Sequence, residues 1–336
     1  MGNWWRRLLD PAGSAEPAER TLASGPAAQP VAPAGAPILG WQPRLDVDAL
    51  AGAWLLADGA AAAPADAAAD AAFVAAFDAA AARAPAASLV PRVPTVVPQL
   101  LQTLRDPAGT STHLSRQVAR DPLLVAAVLR FANSPLHGTS RRIASLEQAL
   151  LVIGHDGLRQ LLASVAFKPI MSLTAGACTR RGAPRVWDQS ERSGMACHLI
   201  GPLAGQSAFE AFLAALLQNV GLVVALRLVD QANLLVPPAA LHVGGAVCER
   251  ARRLACRIGR EWSFPAHVID AVAARTRVDG APARTALADV LRVADTLAWL
   301  RVLCDAGLVV ADDPALELDH HPALARGFAM LDAAPG

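Results

Sequence analysis

The chain has 336 residues, of which 54% are hydrophobic and 18% are charged, and its formal net charge is only +1. This length and apolar content allow one sizeable domain with room for a smaller appendage. Because a protein that grips nucleic acid through phosphates usually carries a pronounced basic excess, the balanced charge disfavours nonspecific nucleic-acid binding.

The N-terminal region is predicted to lie outside the main domain. Residues 1–37 are rich in Pro, Ala, Gly and Ser, so they bury too little apolar surface to offset the entropy of ordering, and a disordered leader is expected. Residues 38–87 place scattered large apolar side chains in an alanine-rich background. That is enough for one or two helices, so we expect a helical appendage or linker that docks on a main domain at residues 88–304, with a C-terminal tail at 305–336.

Strong helical periodicity begins at residue 93. Apolar residues recur from there at i, i+3, i+4, i+7, i+8 and i+11, which predicts an amphipathic helix over residues 93–104. Further along the chain, Asp121 and Pro122 are typical of an N-cap followed by a proline in the first helical turn. A second helix is therefore expected to start at this pair.

The following segments contain clear helix boundaries. The helix that begins at Pro122 is expected to end at Asn133 and Ser134, because a proline follows and both side chains can bind nearby backbone groups. Ser145 has a glutamine three residues later, which is a capping-box pattern at the start of a helix. Gly154 is expected to end that helix, and the next one should end near residues 168–169, where another proline occurs.

The rest of the chain is also predicted to be helical. No strand-like alternation competes with the helical periodicity, so the predicted fold class is all-α. The most apolar stretch, residues 213–229, is interrupted by polar residues and is interpreted as a core helix rather than a bilayer span. Further helices are expected over residues 187–203, 209–228, 241–259, 265–275 and 284–303.

Cysteine usage and the N-terminus favour a cytoplasmic location. Five cysteines, an odd number without any Cys-x-x-Cys spacing, fall in apolar helical segments, as expected of buried thiols in a reducing compartment. The N-terminus reaches charged residues and Pro11 before any long apolar run, which does not predict a secretory signal. We therefore expect a cytoplasmic protein with no transmembrane segment.

One block of sequence closely resembles the signature of the HDOD family. Asp-Pro at 121–122 opens a helix that ends in Leu-Arg-Phe-Ala-Asn-Ser at 129–134. An Ile-Ala-Ser-Leu-Glu-Gln-Ala segment at 143–149 then precedes Ile-Gly at 153–154. Trp-Asp-Gln-Ser at 187–190 and a later Trp-Ser-Phe-Pro segment resemble further landmarks of the family.

The resemblance covers about residues 88–304. It implies that the chain is a degenerate member of the HD superfamily of metal phosphohydrolases. The implied fold is an HD-like multi-helix bundle in two helical halves, residues 88–169 and 182–304.

The same resemblance locates the positions at which the HD superfamily carries its metal ligands. Those ligands would be expected near Gln189, at Gln218 and Asn219, near Arg275 and at Asp295. Only Asp295 keeps a ligand residue type, and one carboxylate cannot hold a hydrolytic metal. We therefore predict a vestigial site with no bound metal or cofactor, whose amide side chains form hydrogen bonds in place of coordination.

The leading hypothesis is a non-enzymatic bacterial signal-transduction module that binds a signalling protein partner or a nucleotide-type ligand. The alternative is a residual metal-dependent phosphohydrolase or nucleotide-binding protein in which Asp295 works with Glu191 or His198. A third hypothesis is nucleic-acid binding through the arginine pairs at 141–142 and 180–181. The residues of the family motif, which either form a binding face or only fix helix ends, are Asp121, Pro122, Asn133, Ser134, Ser145 and Gly154.

Overall fold

The computed structural model describes residues 38–57, 66–84, 118, 122–133, 142–171, 176–237, 240–276 and 283–332. These residues contain no β-strand, as the all-α prediction requires. The predicted leader, the helix expected over 93–104, Asp121 and Ser134 lie outside the described residues.

The α-helices are α1 Val47–Leu56, α2 Ala67–Arg83, α3 Pro122–Ala132, α4 Leu146–Met171, α5 Ala177–Ile200, α6 Ala208–Gln231, α7 Ala240–Glu261, α8 Ala266–Ala273, α9 Ala286–Asp305 and α10 Pro322–Asp332.

Helix α6 is the centre of the bundle. Its side chains are apolar on every face, and a helix with that composition is stable only when other elements surround it. Helices α4, α5, α7, α8 and α9 all pack against it. Helix α6 is long and apolar enough to cross a membrane, as the two parts of α4 would be only if taken as one bent span, yet 94% of the most apolar window of α6 is buried inside the fold. The prediction that residues 213–229 form a core helix is therefore confirmed.

Helix α5 begins ten residues earlier than the predicted start at Trp187, so that prediction was wrong. The cause is a cap supplied by Asp230, at the far end of α6. Its carboxylate accepts hydrogen bonds from the backbone N–H groups of Cys178 at 2.9 Å and Thr179 at 2.8 Å. These N–H groups would otherwise lack partners at the helix N-terminus. A cap that arrives from a distant helix cannot be found from local sequence.

The segment before α2 docks firmly on the main bundle. Helix α1 lies against α7, where Gly52 and Gly244 bring the two backbones together so closely that no side chain would fit at either position. Trp41 is 2% exposed and donates its indole N–H to the carbonyl of Leu316 at 3.0 Å. Arg292 of α9 donates to the carbonyl of Trp41 at 2.6 Å. Residues 38–57 therefore share the core of the bundle.

Helices α3 and α4 have the predicted boundaries, with one exception. Ser145 caps α4, since its hydroxyl accepts the backbone N–H of Gln148 at 3.2 Å. Gly154 has φ 64° and interrupts α4, and the two parts of α4 meet at 103°. The helix continues to Met171, so the predicted end near residues 168–169 was slightly early, because α4 accommodates Pro169 in its last turn.

The C-terminal segment also packs on the bundle. Helix α10 buries Leu324, Phe328 and Leu331 and lies against α9. The guanidinium of Arg301 on α9 stacks over the ring of Phe328 at 5.2 Å from its centroid. Residues 305–332 are therefore folded against the domain, although the sequence suggested a tail.

Candidate functional site

Six polar side chains meet in the interior of the bundle, and we call them the polar network. They come from α5, the middle of α6, the turn after α8, and α9. The first two helices contribute amides and a hydroxyl, whereas the last two elements contribute a cation and an anion. The members are Gln189, Ser190, Gln218, Asn219, Arg275 and Asp295. All five positions predicted for the vestigial site are thus in contact, and Ser190 joins them.

A chain of hydrogen bonds links α6 to α9 through α5. Asn219 donates from Nδ2 to Gln189 Oε1 at 2.6 Å and to Ser190 Oγ at 2.7 Å. Gln189 then donates from Nε2 to Asp295 Oδ1 at 2.6 Å. Gln189 and Asn219 are 0% exposed and Asp295 is 1% exposed, so these bonds form where unpaired polar groups would be strongly unfavourable.

Arg275 supplies the positive charge that Asp295 requires. Its Nη1 lies 2.7 Å from Asp295 Oδ2 and 2.8 Å from Gln218 Oε1. The side chains of Arg275 and Asp295 are 8% and 1% exposed, so this is a buried ion pair. Both carboxylate oxygens of Asp295 are therefore engaged, one by an amide and the other by a guanidinium.

The donor set does not fit a hydrolytic metal ion. Such an ion needs several imidazole or carboxylate ligands and an open position for water. The polar network contains one carboxylate, Asp295, whose counter-ion is the guanidinium of Arg275. Within the described part of the chain, no group of three or more His, Cys, Asp or Glu residues could hold a metal ion.

Helix geometry separates the two alternative partners of Asp295 from Gln189, the α5 residue that contacts it. Glu191 is two residues beyond Gln189 on α5, and two helical residues point about 200° apart around the axis. His198 is nine residues beyond Gln189, about 13 Å along the helix. Burial lowers the pKa of His198 from its usual 6.5, although the Asp156 carboxylate acts in the opposite direction.

The cysteines do not provide a nucleophile or a thiolate ligand near the network. Burial and, to a smaller extent, the negative charge of Asp295 raise the pKa of Cys197 far above its usual value. Burial also raises the pKa of Cys178 and of Cys256, each to about 11. The thiols remain protonated at neutral pH, as expected of small buried side chains.

The described residues of the family motif lie at helix ends. Pro122 is the first residue of α3. Asn133 donates from Nδ2 to the carbonyls of Leu129 at 2.7 Å and Ile143 at 2.8 Å, and its Oδ1 accepts the N–H of Ile143 at 2.8 Å. Asn133 thereby ties the end of α3 to the segment that leads into α4.

The arginine pairs show no common surface in the described residues. Arg180 is exposed, whereas the adjacent Arg181 donates a hydrogen bond to the carbonyl of Leu56 at the end of α1. Arg142 is exposed, and its neighbour in the pair lies outside the described residues. Nucleic-acid binding through these pairs stays an untested hypothesis.

Comparisons with known proteins agree with this architecture. The family model of the HDOD domain matches residues 90–278, more than half of the chain. An uncharacterised protein of Treponema pallidum (strain Nichols) is 22% identical over 204 residues, which are 57% of this chain and 39% of that protein. The chain therefore matches less than half of that relative's length.

The fold is similar to a crystal structure from Shewanella amazonensis SB2B, of a protein provisionally described as a metal-dependent phosphohydrolase. The TM-score is 0.55 and the sequence identity is 15%, and the match covers 79% of this chain and 98% of that chain. The likeness confirms the predicted HD-like, all-α fold.

Proposed function

Because the chain belongs to the HDOD family, we propose that it is a non-enzymatic regulatory module that acts in bacterial signal transduction by binding a protein or a small ligand. The observation that supports this role most directly is the ion pair between Arg275 and Asp295. In the HD superfamily that the sequence resembles, a divalent metal would provide the positive charge at this place. Here a side chain of the protein provides it.

The polar network is suited to holding helices together. It joins α5, α6, α9 and the turn after α8 through short hydrogen bonds between buried groups. Removal of one partner of a buried ion pair typically destabilises a protein by about 3–5 kcal/mol. A module built in this way keeps the scaffold of a hydrolase and loses the water-activating ion.

The proposed activity is a binding event in the cytoplasm. The two helical halves, residues 88–169 and 182–304, would pack around a cleft, and a bound partner would favour one relative packing of the halves over another. This part of the proposal extends the family resemblance, and a signalling protein is the partner class that we expect.

A hydrolysis assay separates this proposal from the phosphohydrolase alternative. The full-length chain is incubated with bis(p-nitrophenyl) phosphate and Mn²⁺ or Fe²⁺, and the Asp295→Asn variant is compared with the wild type. We expect release of p-nitrophenol at the rate of the protein-free blank for both proteins. Hydrolysis that is removed by a chelator and by Asp295→Asn, in protein with a native circular dichroism spectrum, would establish an enzyme.

Affinity capture from the native host tests the binding role. The full chain and its Asn133→Ala variant serve as baits, with folding checked by circular dichroism. A protein that is captured by the wild type and binds it one to one when purified supports the module. Failure of every captured candidate to bind in purified form contradicts a protein-partner role. Equal capture by folded Asn133→Ala excludes the end of α3 as the binding face.

A further inference from the structure

A second polar feature lies beside the polar network, and we call it the arginine pocket. It is a cavity of about 420 Å³ between the start of α1, the middle of α7, the turn after α8 and the start of α9. Cavities of about 300–1,000 Å³ are typical of small-molecule sites. Four arginines line it: Arg252, Arg275, Arg284 and Arg292.

Two of these arginines contain buried N–H groups that are not satisfied. Arg252 is 5% exposed, and Arg292 has a side chain that is 16% exposed. The Nε–H of each finds no hydrogen-bond acceptor among the described residues. The nearest carboxylate oxygen to Arg292 Nε belongs to Asp289 at 3.8 Å, which is too far for a hydrogen bond. Both arginines line the cavity, and each guanidinium keeps a donor that no acceptor of the described residues uses.

The carboxylates in the pocket wall are already engaged. Asp48 binds Arg252 Nη2 at 2.5 Å, and Asp289 binds Arg284 Nε at 3.0 Å. Asp46 caps α1 by accepting the N–H of Ala49 at 3.0 Å. The positive end of the helix dipole of α1 lies at Asp46 and offsets part of this negative charge. The wall therefore offers more hydrogen-bond donors than acceptors.

Arg292 lies near other positive charges, whereas the pKa of Arg252, despite its burial, is raised by the carboxylate of Asp48. Burial, and secondarily the neighbouring cation Arg284, lower the pKa of Arg292 below its usual value. An anion in the cavity would relieve this repulsion. Guanidinium groups match the geometry of phosphate oxygens because they donate two parallel N–H groups.

From the cavity, the unsatisfied Nε–H groups and the cluster of guanidiniums, we infer that the arginine pocket binds the phosphate group of a phosphorylated small molecule. This inference deepens the proposed regulatory role and rests on it, since the ligand would be the signal that the module senses. Arg275 belongs to both features, so a phosphate oxygen bound there would compete with Asp295 for the same guanidinium. Ligand binding would in this way change the contacts between the helices that the polar network joins.

The test measures binding of inorganic phosphate, pyrophosphate and ADP to the full-length chain by isothermal titration calorimetry, at matched ionic strength. We expect one site for pyrophosphate with a dissociation constant below about 1 mM. The three probes show whether phosphate alone suffices or a nucleoside contributes. Arg284→Gln is the main variant, because Arg284 has a side chain that is 56% exposed and its removal should leave the fold intact.

Arg284→Gln should weaken pyrophosphate binding about tenfold, and Arg252→Lys should weaken it as well, because lysine lacks the planar fork of donors that matches phosphate oxygens. Arg260→Gln is the matched control, since it removes one exposed charge from α7 outside the pocket. Absence of saturable binding of all three probes at about 1 mM, or equal weakening by Arg284→Gln and Arg260→Gln, would overturn the inference.

The same samples are analysed for released phosphate, so that the two proposals can fail separately. Binding without turnover supports both proposals. Hydrolysis of the bound probe would overturn the non-enzymatic role and leave the pocket in place. A lack of binding would overturn the pocket and leave the non-enzymatic role in place.

Discussion

The polar network and the arginine pocket both contain arginine–aspartate ion pairs, but the surroundings of the pairs differ. The network has Arg275–Asp295, and the pocket has Arg252–Asp48 and Arg284–Asp289. In the polar network, both oxygens of Asp295 have donors and Gln189, Asn219 and Asp295 are at most 1% exposed, although Asn219 Oδ1 has no donor among the described residues. In the arginine pocket, the guanidiniums line a cavity of about 420 Å³, and the Nε–H groups of Arg252 and Arg292 have no acceptor among the described residues.

The difference shows that the space beside an ion pair decides what the pair can do. Where no room remains, the pair fixes the positions of helices. Where a cavity adjoins the pair, a ligand can replace the carboxylate as an acceptor of hydrogen bonds from the guanidinium. Three predictions test this contrast and a fourth concerns a site outside it, in order of decreasing effect.

The largest effect is expected for Arg275→Met, which leaves Asp295 buried without a counter-ion. The free energy of unfolding should fall by about 3–5 kcal/mol, measured by urea denaturation with an unchanged m-value. Arg284→Gln is the matched control from the pocket rim, where the pair with Asp289 is partly exposed, and its loss should be below about 1 kcal/mol. Equal losses in both variants would show that the polar network is no more tightly coupled than a surface pair.

A second variant tests whether the loss comes from the stranded charge. In Arg275→Met/Asp295→Asn, the amide oxygen at position 295 can still accept from Gln189, and no ion remains buried. We expect the double variant to recover about 2 kcal/mol of the stability lost by Arg275→Met. If instead the loss of stability in the double variant equals the sum of the losses in Arg275→Met and in Asp295→Asn, the two side chains contribute independently. The ion pair is then not the important interaction.

The next prediction concerns the wall of the arginine pocket. A Cβ at Gly244 would lie 2.3 Å from the carbonyl oxygen of Ala49 in α1, so Gly244→Ala must push α1 away. We expect the free energy of unfolding to fall by about 1–3 kcal/mol, measured by urea denaturation.

The adjacent Gly245→Ala is the control, since its Cβ would meet nothing closer than 3.8 Å. This change should raise stability by up to about 1 kcal/mol through helix propensity. Similar losses for the two alanine variants would contradict the close packing of α1 on α7.

The smallest effect is a pH dependence outside both features. Burial lowers the pKa of His198 below 6.5 in the folded protein, so the unfolded chain binds more protons as the pH falls through 6.5. Stability should therefore decrease from pH 7.5 towards pH 5.5, and His198→Gln should reduce that decrease by no more than about 1 kcal/mol. A decrease of the same size in His198→Gln would assign the titration to other groups.

Much of the fold was predictable because its helices have local signals. The apolar run of α6, the cap at Ser145 and the break at Gly154 lie where periodicity and residue type place them. The five network positions could be predicted from the family resemblance, which fixes their spacing along the chain. Ser190 was missed as a member, although it directly follows Gln189 in the quoted Trp-Asp-Gln-Ser segment.

Features that depend on distant contacts could not be predicted. The start of α5 depends on Asp230, more than fifty residues away. Nothing in the sequence indicated that Arg275 would be the counter-ion of Asp295, since side-chain pairing follows from helix packing. The arginine pocket likewise combines residues near 46, 252, 275 and 290, whose proximity appears only in the folded chain.

The central claim, that Arg275 replaces a metal ion as the counter-charge of Asp295, is tested most directly by titration with Mn²⁺ and Fe²⁺. Metal content and the thermal unfolding midpoint are measured on the purified full chain, before and after addition of each ion. We expect substoichiometric metal and an unchanged midpoint, because binding to the folded state alone would raise it. One chelatable ion per chain that raises the midpoint, and is lost in Asp295→Asn, would show that a metal ion and not Arg275 is the counter-charge.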